Sequence, residues 1–309
     1  MPQIEAAAQR IRSLVVETPT IQFASLGHEI SCSIAIKCEN FQHGFAFKAR
    51  GACNAVFSLT DEEAARGVVT HSSGNHAAAL ARAAMLRGIK AHIVMPENSA
   101  RIKLAAVRSL GVEPVLCEST PAAREAMANE VMRNTGATLV HPFNDARVIA
   151  GQGTVGLEIL RQYPDVETIV VPVGGGGLLA GILIAVKSLK PSVRVIAAEP
   201  EWANDAFRSL QSGQIEPVWR TDTIADGLRT PLGSLTFPII YQLVDEILCA
   251  SEAAISEAMQ QLGTHAKMIA EPSGAVPLAV VHQHRSRFAN QQIVCVVSGG
   301  NRDDQAMQM

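Results

Sequence analysis

Short apolar runs alternate with longer segments whose apolar residues recur every three or four positions in the first half of the chain. The apolar runs occupy residues 67–72, 91–96, 113–117 and 137–142. The segments with helical spacing occupy residues 75–88, 99–111 and 120–136. This alternation predicts parallel strands joined by helices in right-handed crossovers.

A second series of the same kind lies in the other half of the chain. Apolar runs at 168–173, 193–200 and 292–301 predict strands, and the segment 174–190 predicts a helix between the first two of them. The last run begins with QIVCVV, whose continuous apolar character suits a strand that is buried on both faces.

The two series predict an α/β protein of two lobes, each with a mainly parallel sheet flanked by helices. We place the small, substrate-side lobe at residues 67–144 and the large, ligand-binding lobe at residues 1–66 and 145–309. Open parallel sheets bind ligands outside the carboxyl ends of their strands. We therefore expect the functional site in the crevice between the lobes.

The composition is that of an ordinary globular protein and excludes several classes of partner. Of the 309 residues, 48% are hydrophobic and 18% are charged, and the net charge is -3 with a pI near 6.3. This balance provides no basic surface for nucleic acid or anionic lipid. The cysteines are scattered, the N-terminus lacks a signal-peptide core, and the longest apolar run is too short to span a bilayer. We expect a cytoplasmic protein with no membrane or nucleic-acid partner.

Lys48 stands among apolar and small residues in the stretch GFAFKARGA. Burying its ammonium group without a partner would be costly. One interpretation is a lysine at a helix start, whose stem runs along the surface to water. The other is a lysine kept neutral in a pocket, where its amine acts as a nucleophile or a base.

The segment HSSGNH, residues 71–76, joins a predicted strand to a predicted helix. Its hydroxyl, amide and main-chain N–H groups lie at the positive end of that helix, where an anion such as a carboxylate binds favourably. Serine and asparagine are also ordinary N-caps, so a purely capping role is the alternative.

Four consecutive glycines, Gly174, Gly175, Gly176 and Gly177, separate a predicted strand from a predicted helix. Without side chains, their main-chain N–H groups can approach a phosphate closely, whereas a flexible turn is the alternative. The segment lacks the Gly-Lys-Ser/Thr ending of a P-loop and fits GxGxxG poorly. Glu199 nevertheless supplies the acid that a dinucleotide site needs near the next strand end, so a nicotinamide-dependent dehydrogenase stays open here.

The last predicted strand ends in VVSGGN, which places Ser298 at the same edge of the sheet. A serine hydroxyl can pair with a ring nitrogen without adding a formal charge, and a strand-ending turn is the alternative.

The combination of a lysine, an anion-binding loop, a glycine loop that can bind phosphate and a serine after the last strand matches the needs of one cofactor. Pyridoxal phosphate requires an amine, a phosphate site and a partner for its pyridine nitrogen.

These segments resemble the fold-type II (tryptophan synthase β-like) pyridoxal-phosphate enzymes, in particular the serine/threonine dehydratase (threonine ammonia-lyase) and serine racemase family. The resemblance extends along the whole chain and rests on ENFQHGFAFKARGA, SSGNHA, HPFNDARVIAGQGT, GGGGLLAG and VVSGGNRD. The chain departs from the family at Phe45 and Ala46, where Gly-Ser is more common. It departs again in THAKMIAEPSGA, although Glu271 of that segment is retained.

The resemblance implies a role for each residue around the cofactor. Lys48 would form the Schiff base and, once freed by the substrate amine, take the proton from the substrate Cα. Phe47 would pack against the cofactor ring, Asn75 would lie near its phenolic oxygen, and Ser298 would pair with its pyridine nitrogen. The glycines at 174–177 would hold the phosphate, which can protonate the departing β-hydroxyl.

The substrate would, by the same resemblance, be held by the loop after the first strand of the small lobe. The residues implied in binding its carboxylate are Ser72, Ser73, Asn75 and His76. Ser73 also stands where racemases of this family place a second acid–base group, on the cofactor face opposite the lysine.

The resemblance further implies a structural divalent cation, magnesium or calcium. Relatives that bind one use a glutamate, the main-chain carbonyl four residues later and an acid six residues later. The corresponding residues are Glu199, Ala203 and Asp205. Hard cations prefer such oxygen ligands, completed by water, whereas a solvated acidic loop is the alternative.

The expected function is pyridoxal-phosphate-dependent dehydration of L-threonine and L-serine to a 2-oxo acid and ammonia. One alternative is a serine racemase that uses Ser73. Another is a threo-3-hydroxyaspartate ammonia-lyase, which needs a cation such as Arg124 for the second carboxylate. Relatives are commonly homodimers or homotetramers, so we also expect a homo-oligomer.

Overall fold

The computed structural model describes residues 1–28, 31–72, 74–99 and 101–302, so the candidate acid–base residue Ser73 lies outside the described residues. The ten strands in these ranges are β1 (Thr20–Gln22), β2 (Ser33–Cys38), β3 (Val68–His71), β4 (Ala91–Pro96), β5 (Val115–Cys117), β6 (Thr138–Leu139), β7 (Thr168–Pro172), β8 (Arg194–Pro200), β9 (Glu246–Ala250) and β10 (Gln292–Val297). The thirteen α-helices there are α1 (Pro2–Ile11), α2 (Ala24–Gly27), α3 (Lys48–Phe57), α4 (Asp61–Arg66), α5 (Asn75–Arg87), α6 (Arg101–Arg108), α7 (Pro121–Thr135), α8 (Ala146–Gln162), α9 (Gly177–Leu189), α10 (Asp205–Ser212), α11 (Thr236–Leu243), α12 (Glu252–His265) and α13 (Pro272–Gln283).

The small sheet has four parallel strands in the order β5–β4–β3–β6. Val68 pairs with Ala91 on one side and with Thr138 on the other, and Val94 pairs with Val115. Helices α5, α6 and α7 connect these strands. The strand–helix alternation predicted for this part of the chain is confirmed, while the exact lobe boundaries stay a prediction.

Strand β6 is shorter than the apolar run 137–142 that predicted it. The ring nitrogen Nδ1 of His141 accepts the main-chain N–H groups of Phe143 (3.3 Å) and Asn144 (2.9 Å). These bonds turn the chain out of the sheet, because a side-chain acceptor offers the main chain an alternative to ladder pairing. Residues 141–144 consequently form the segment that joins the small sheet to α8.

The large sheet has six strands in the order β1–β2–β10–β7–β8–β9, parallel except for the antiparallel pair β1–β2. Strand β10 lies inside this sheet and is buried from Ile293 to Val297, which confirms the prediction from its apolar run. Val170 of β7 packs with α12 and α13, whereas its neighbours Ile169 and Val171 pack with α8 and α9. Successive strand residues point to opposite faces, so helices cover both sides of the sheet.

A buried ion cluster lies beneath the start of α3. The fully buried Arg50 guanidinium donates to the carboxylates of Glu39 and Glu158, and the fully buried Lys37 ammonium also donates to Glu158 (2.6 Å). Buried charges are tolerated when they are paired and hydrogen-bonded in this way. The cluster fixes α3, which begins at Lys48, against β2 and α8.

Within the described ranges, no helix combines the length and the apolar character needed to cross a bilayer.

Candidate active site

Lys48 is the first residue of α3, and its half-buried side chain reaches the segment that follows the small sheet. Its Nζ donates to the main-chain carbonyl of Pro142 (2.9 Å) and lies 5.0 Å from the ring centre of Phe47. Burial lowers the pKa of the Lys48 amine to about 8, and the negative charge of Glu271 opposes part of that shift. This amine loses its proton more readily than a surface lysine does, so it can act as a nucleophile or a base.

The loop before Lys48 is held against the end of β10. The main-chain N–H of Phe47 donates to the carbonyl of Ser298 (3.1 Å), and the N–H of Gly300 donates to the carbonyl of Phe45 (2.9 Å). Phe45 has a φ of 56°, a left-handed conformation that is unfavourable for a phenylalanine. The two hydrogen bonds hold this loop in place, and they bring the buried Ser298 next to the residue that precedes Lys48.

The four glycines connect β7 to α9 and are all buried. A Cβ added to Gly175 would lie 2.3 Å from the ring of Phe143, and one added to Gly177 would lie 3.0 Å from the Phe143 main chain. Gly176 caps α9 with a φ of 86°. The first N–H groups of a helix lack intrahelical partners and suit an anion. Because Phe143 follows Pro142, this glycine loop and the Lys48 amine contact the same short segment.

Asn75 begins α5 and links the small lobe to the large lobe. Its Nδ2 donates to both carboxylate oxygens of Glu271 (3.0 and 3.1 Å), and its Oδ1 accepts from Nδ2 of Asn301 (3.0 Å). Burial raises the pKa of Glu271 to about 7, although the Asn75 hydrogen bonds favour the ionised form. The predicted cofactor ligand Asn75 is thus oriented by two residues for which the sequence predicted no role.

The other described residues of the substrate-carboxylate loop are Ser72 and His76. The half-buried Ser72 accepts the N–H of Gly74 on its Oγ (3.3 Å). The buried His76 ring lies with Nε2 3.1 Å from the carbonyl of Val140, and burial lowers its pKa to about 3, so the ring is neutral. A neutral ring bound to Val140 offers no charge to a carboxylate. The buried Nδ1 of His76 has no hydrogen-bond partner among the described residues, so the ring could contact substrate only as a neutral group.

Two histidines for which the sequence predicted no role pack against each other, and one of them, His141, lies near the Lys48 amine. The rings of His71 and His141 meet edge to face with their centres 5.4 Å apart. Burial lowers the pKa of His141 to about 4, and the charges of His71 and Lys48 add to this effect. His71 is the last residue of β3 and His141 lies two residues after β6, and this position at the carboxyl end of a strand is the signal from which the sequence could have identified them.

Arg124, the candidate cation for a second substrate carboxylate, lies near His71. Its positive charge helps to lower the pKa of His71, for which burial is the largest cause. The buried Nε of Arg124 has no hydrogen-bond partner among the described residues. A buried donor without a partner is costly, so this guanidinium retains capacity to bind an anion.

The predicted cation ligands lie where β8 meets α10. Both carboxylate oxygens of Asp205 are buried and lack a hydrogen-bond partner within the described ranges. Glu199 is fully buried and accepts the N–H groups of Ala206 (2.8 Å) and Phe207 (2.9 Å). Burial raises the pKa of Asp205 to about 7, and burial together with the Asp205 charge raises the pKa of Glu199 well above its usual range.

This donor set fits a hard cation. The Asp205 charge disfavours the ionised form of Glu199. A divalent cation would neutralise both acids and supply the missing partner of Asp205. Ala203, whose carbonyl is the third predicted ligand, is buried in the short 3-10 helix Glu201–Ala203 between them. Among the described residues, no group of three or more His, Cys, Asp or Glu side chains forms a metal cluster. Water would therefore have to complete the coordination.

Comparison with known proteins identifies the family of this chain. The sequence profile described as "Pyridoxal-phosphate dependent enzyme" matches residues 11–299. The chain belongs to this family. This membership removes the dehydrogenase alternative, and it confirms the fold-type II architecture that the five sequence segments predicted.

Relatives and solved structures place the chain within the family. It is 47% identical over 305 residues to serine racemase of Arabidopsis thaliana, covering 97% of this chain and 92% of that protein. It is 44% identical over 298 residues to beta-hydroxyaspartate dehydratase of Paracoccus denitrificans (strain Pd 1222), covering 96% and 95%. The solved structure of threonine deaminase isoform 2 from Solanum lycopersicum, in its processed form, superposes with a TM-score of 0.94 at 35% identity, covering 99% of this chain and 85% of that one. The protein is a pyridoxal-phosphate-dependent enzyme of the racemase and dehydratase type.

Proposed function

We propose that this enzyme catalyses β-elimination of L-threonine and L-serine to a 2-oxo acid and ammonia. The observation that carries the proposal is the position of the Lys48 amine, with its lowered pKa, against Pro142. The glycine loop, the end of β10 and the start of α5 converge on the same place. When bound there, pyridoxal phosphate withdraws electrons from the substrate Cα and makes its proton acidic.

The residues of the chain would hold the cofactor and accept the substrate proton. We assign the phosphate to the main-chain N–H groups at 174–177 and the pyridine nitrogen to the hydroxyl of Ser298. Phe47 would pack against the cofactor ring, and Asn75 would contact its phenolic oxygen. Lys48, neutral in its half-buried position, accepts the Cα proton on one face. The β-hydroxyl would leave as water with a proton that the cofactor phosphate supplies, and hydrolysis of the released enamine would give the 2-oxo acid and ammonia.

Racemisation of serine is the second activity that we propose, and the identity to serine racemases supports it. Inversion needs a proton donor on the face opposite Lys48, and Ser73 is our candidate for that donor. A panel of L-threonine, L-serine and D-serine, assayed in parallel for 2-oxo acid and by chiral chromatography, tests both activities. We expect 2-oxo acid from L-threonine and L-serine. Turnover of neither substrate by the cofactor-loaded enzyme would contradict the proposal.

A 3-hydroxyaspartate ammonia-lyase is an alternative function for the same site. It is favoured by the unpartnered Nε of Arg124 beside His71 and by the identity to a beta-hydroxyaspartate dehydratase. Arg124→Met should raise the KM for threo-3-hydroxyaspartate about tenfold or more and leave the KM for L-serine nearly unchanged, because only the former substrate carries a second carboxylate. Equal changes in both KM values would exclude this role for Arg124.

A structural cation and self-association complete the proposal. Glu199, the carbonyl of Ala203 and Asp205 would bind magnesium or calcium and so fix the start of α10 to the end of β8. We further propose a cytoplasmic homodimer or homotetramer. Light scattering of the purified enzyme gives its molar mass, and a mass of one chain of 32.9 kDa would contradict the oligomer.

A further inference from the structure

Glu271 stands at the N-terminus of α13 but does not cap that helix with its side chain. An acid at this position ordinarily accepts the first N–H groups of its own helix. The Glu271 carboxylate instead reaches across to Nδ2 of Asn75, which belongs to the other lobe. Glu271 is 7% exposed and Asn75 is half-buried, so the carboxylate end of this bond is shielded from water, which strengthens an ionic hydrogen bond.

Gly299 leaves room for the Glu271 carboxylate and also binds the Glu271 main chain. A Cβ on Gly299 would lie 2.5 Å from Oε1 of Glu271, so a larger residue at 299 would displace the carboxylate. The main-chain N–H of Glu271 donates to the carbonyl of Gly299 (3.0 Å), which ties the residue to the strand end that carries Ser298.

The contact also fixes which way the Asn75 amide faces. The ionised Glu271 carboxylate only accepts hydrogen bonds, so Nδ2 of Asn75 points at it. Its Oδ1 accepts from Nδ2 of Asn301, which in turn donates to the carbonyl of Gly44 (2.7 Å). Both ends of the Asn75 amide are therefore held by the large lobe, one of them through the loop that leads to Lys48.

We infer that Glu271 is a positioning residue: its carboxylate orients the Asn75 amide and holds the start of α5 against the large lobe, so that Asn75 meets the bound cofactor in one orientation. This inference rests on the proposed function, because it takes Asn75 to be a cofactor ligand. It assigns Glu271 no contact with substrate or cofactor.

A double-mutant cycle on cofactor affinity tests the inference. The dissociation constant of pyridoxal phosphate is measured by absorbance titration of wild type, Glu271→Ala, Asn75→Ala and the double variant, each as cofactor-free enzyme. We expect each single substitution to weaken binding about tenfold or more, and the double variant to bind no more weakly than the weaker single variant. If the affinity loss of the double variant equals the product of the two single losses, Glu271 acts independently of Asn75, and that result would overturn the inference.

Two further variants separate positioning from folding. Glu271→Gln retains an oxygen that accepts from Asn75 and should bind the cofactor within about threefold of wild type. Glu113→Gln removes an exposed ion pair with Arg108 and should leave binding unchanged. Thermal midpoints of the cofactor-free variants show whether lost affinity merely follows lost stability, and such a correlation would also overturn the inference. Cofactor binding without turnover in wild type would contradict only the proposed function, whereas a wild type that binds no cofactor would contradict both.

Discussion

The Nζ of Lys48 donates a hydrogen bond to the main-chain carbonyl of Pro142 across 2.9 Å. Lys48 begins the helix that the buried ion cluster fixes to the large lobe, and Pro142 lies just after the last strand of the small sheet. The bond therefore sets the reactive amine at the junction of the two lobes.

Replacement of Lys48 by alanine should nearly abolish turnover. The amine serves in our account both as the group that binds the cofactor covalently and as the base at Cα, so both contributions vanish together. We expect 2-oxo acid production from L-threonine to fall about 1000-fold or more. Lys187→Ala, which removes an amine bound to Asp245 far along the chain, is a matched control and should retain activity. Near-normal production by the Lys48 variant would rule out this role.

Substitution of Ser73 by alanine should separate the two proposed activities. Lys48 serves one face of the substrate Cα, so inversion requires a donor on the other face, whereas elimination does not. L-to-D serine conversion should disappear while dehydration of L-serine survives at a reduced rate. Dehydration of D-serine should fall together with racemisation.

A purely structural role for Ser73 predicts a different result. The N-cap of α5 is Gly74, so such a role would rest on an ordinary hydrogen bond, whose loss would lower the free energy of unfolding by about 1 kcal/mol and affect both activities alike. Chiral chromatography and a 2-oxo acid assay on the same samples distinguish the two outcomes. Equal fractional loss of racemisation and elimination would leave Ser73 with a structural role only.

Magnesium or calcium should stabilise the protein more strongly as the pH rises. A cation binds ionised carboxylates, and the pKa of Asp205 is raised to about 7, so the site becomes available as the pH increases through that value. Binding to the folded state alone raises the thermal midpoint by mass action. Asp205→Asn should abolish this rise, whereas Glu201→Gln, at an exposed acid nearby, should preserve it. A midpoint insensitive to both cations and chelator would contradict the site.

Glu271 should make the protein less stable as the pH rises from its unfolded pKa near 4.5 towards its folded pKa of about 7. In that window the folded state binds the proton more tightly than the unfolded state, so deprotonation favours unfolding. Glu271→Gln removes this dependence. The unfolding free energy of the variant relative to wild type should therefore increase by up to about 3 kcal/mol between about pH 5 and about pH 8. Urea unfolding of the cofactor-free proteins measures it, and a difference independent of pH would contradict the raised pKa.

The pattern of apolar runs predicted the four strands of the small sheet and β7, β8 and β10 of the large one, because each lies in a run of mainly apolar residues. It did not predict β1 and β9, or β2, whose apolar run contains Lys37. A lysine normally indicates an exposed position, but Lys37 is buried through its pairing with Glu158. Such pairing between residues far apart in sequence has no local signal.

The sequence identified Lys48 and the four glycines as candidates because one residue type dictates the chemistry expected there, and their roles stay a prediction. The link between Asn75 and Glu271 was not predictable, because the two residues are 196 positions apart and meet only after both lobes have folded. His141 was missed for a related reason: its ring organises the main chain of residues that follow it, and apolar periodicity does not register such bonds.

Borohydride reduction of the cofactor-loaded enzyme, followed by peptide mass spectrometry, tests the central claim most directly. Reduction makes the bond between the cofactor and its lysine permanent, so the modified residue can be located. We predict that the added mass of the reduced cofactor is found on the peptide that contains Lys48. Modification of a different lysine, or of none while the visible absorbance of the cofactor persists, would contradict the account.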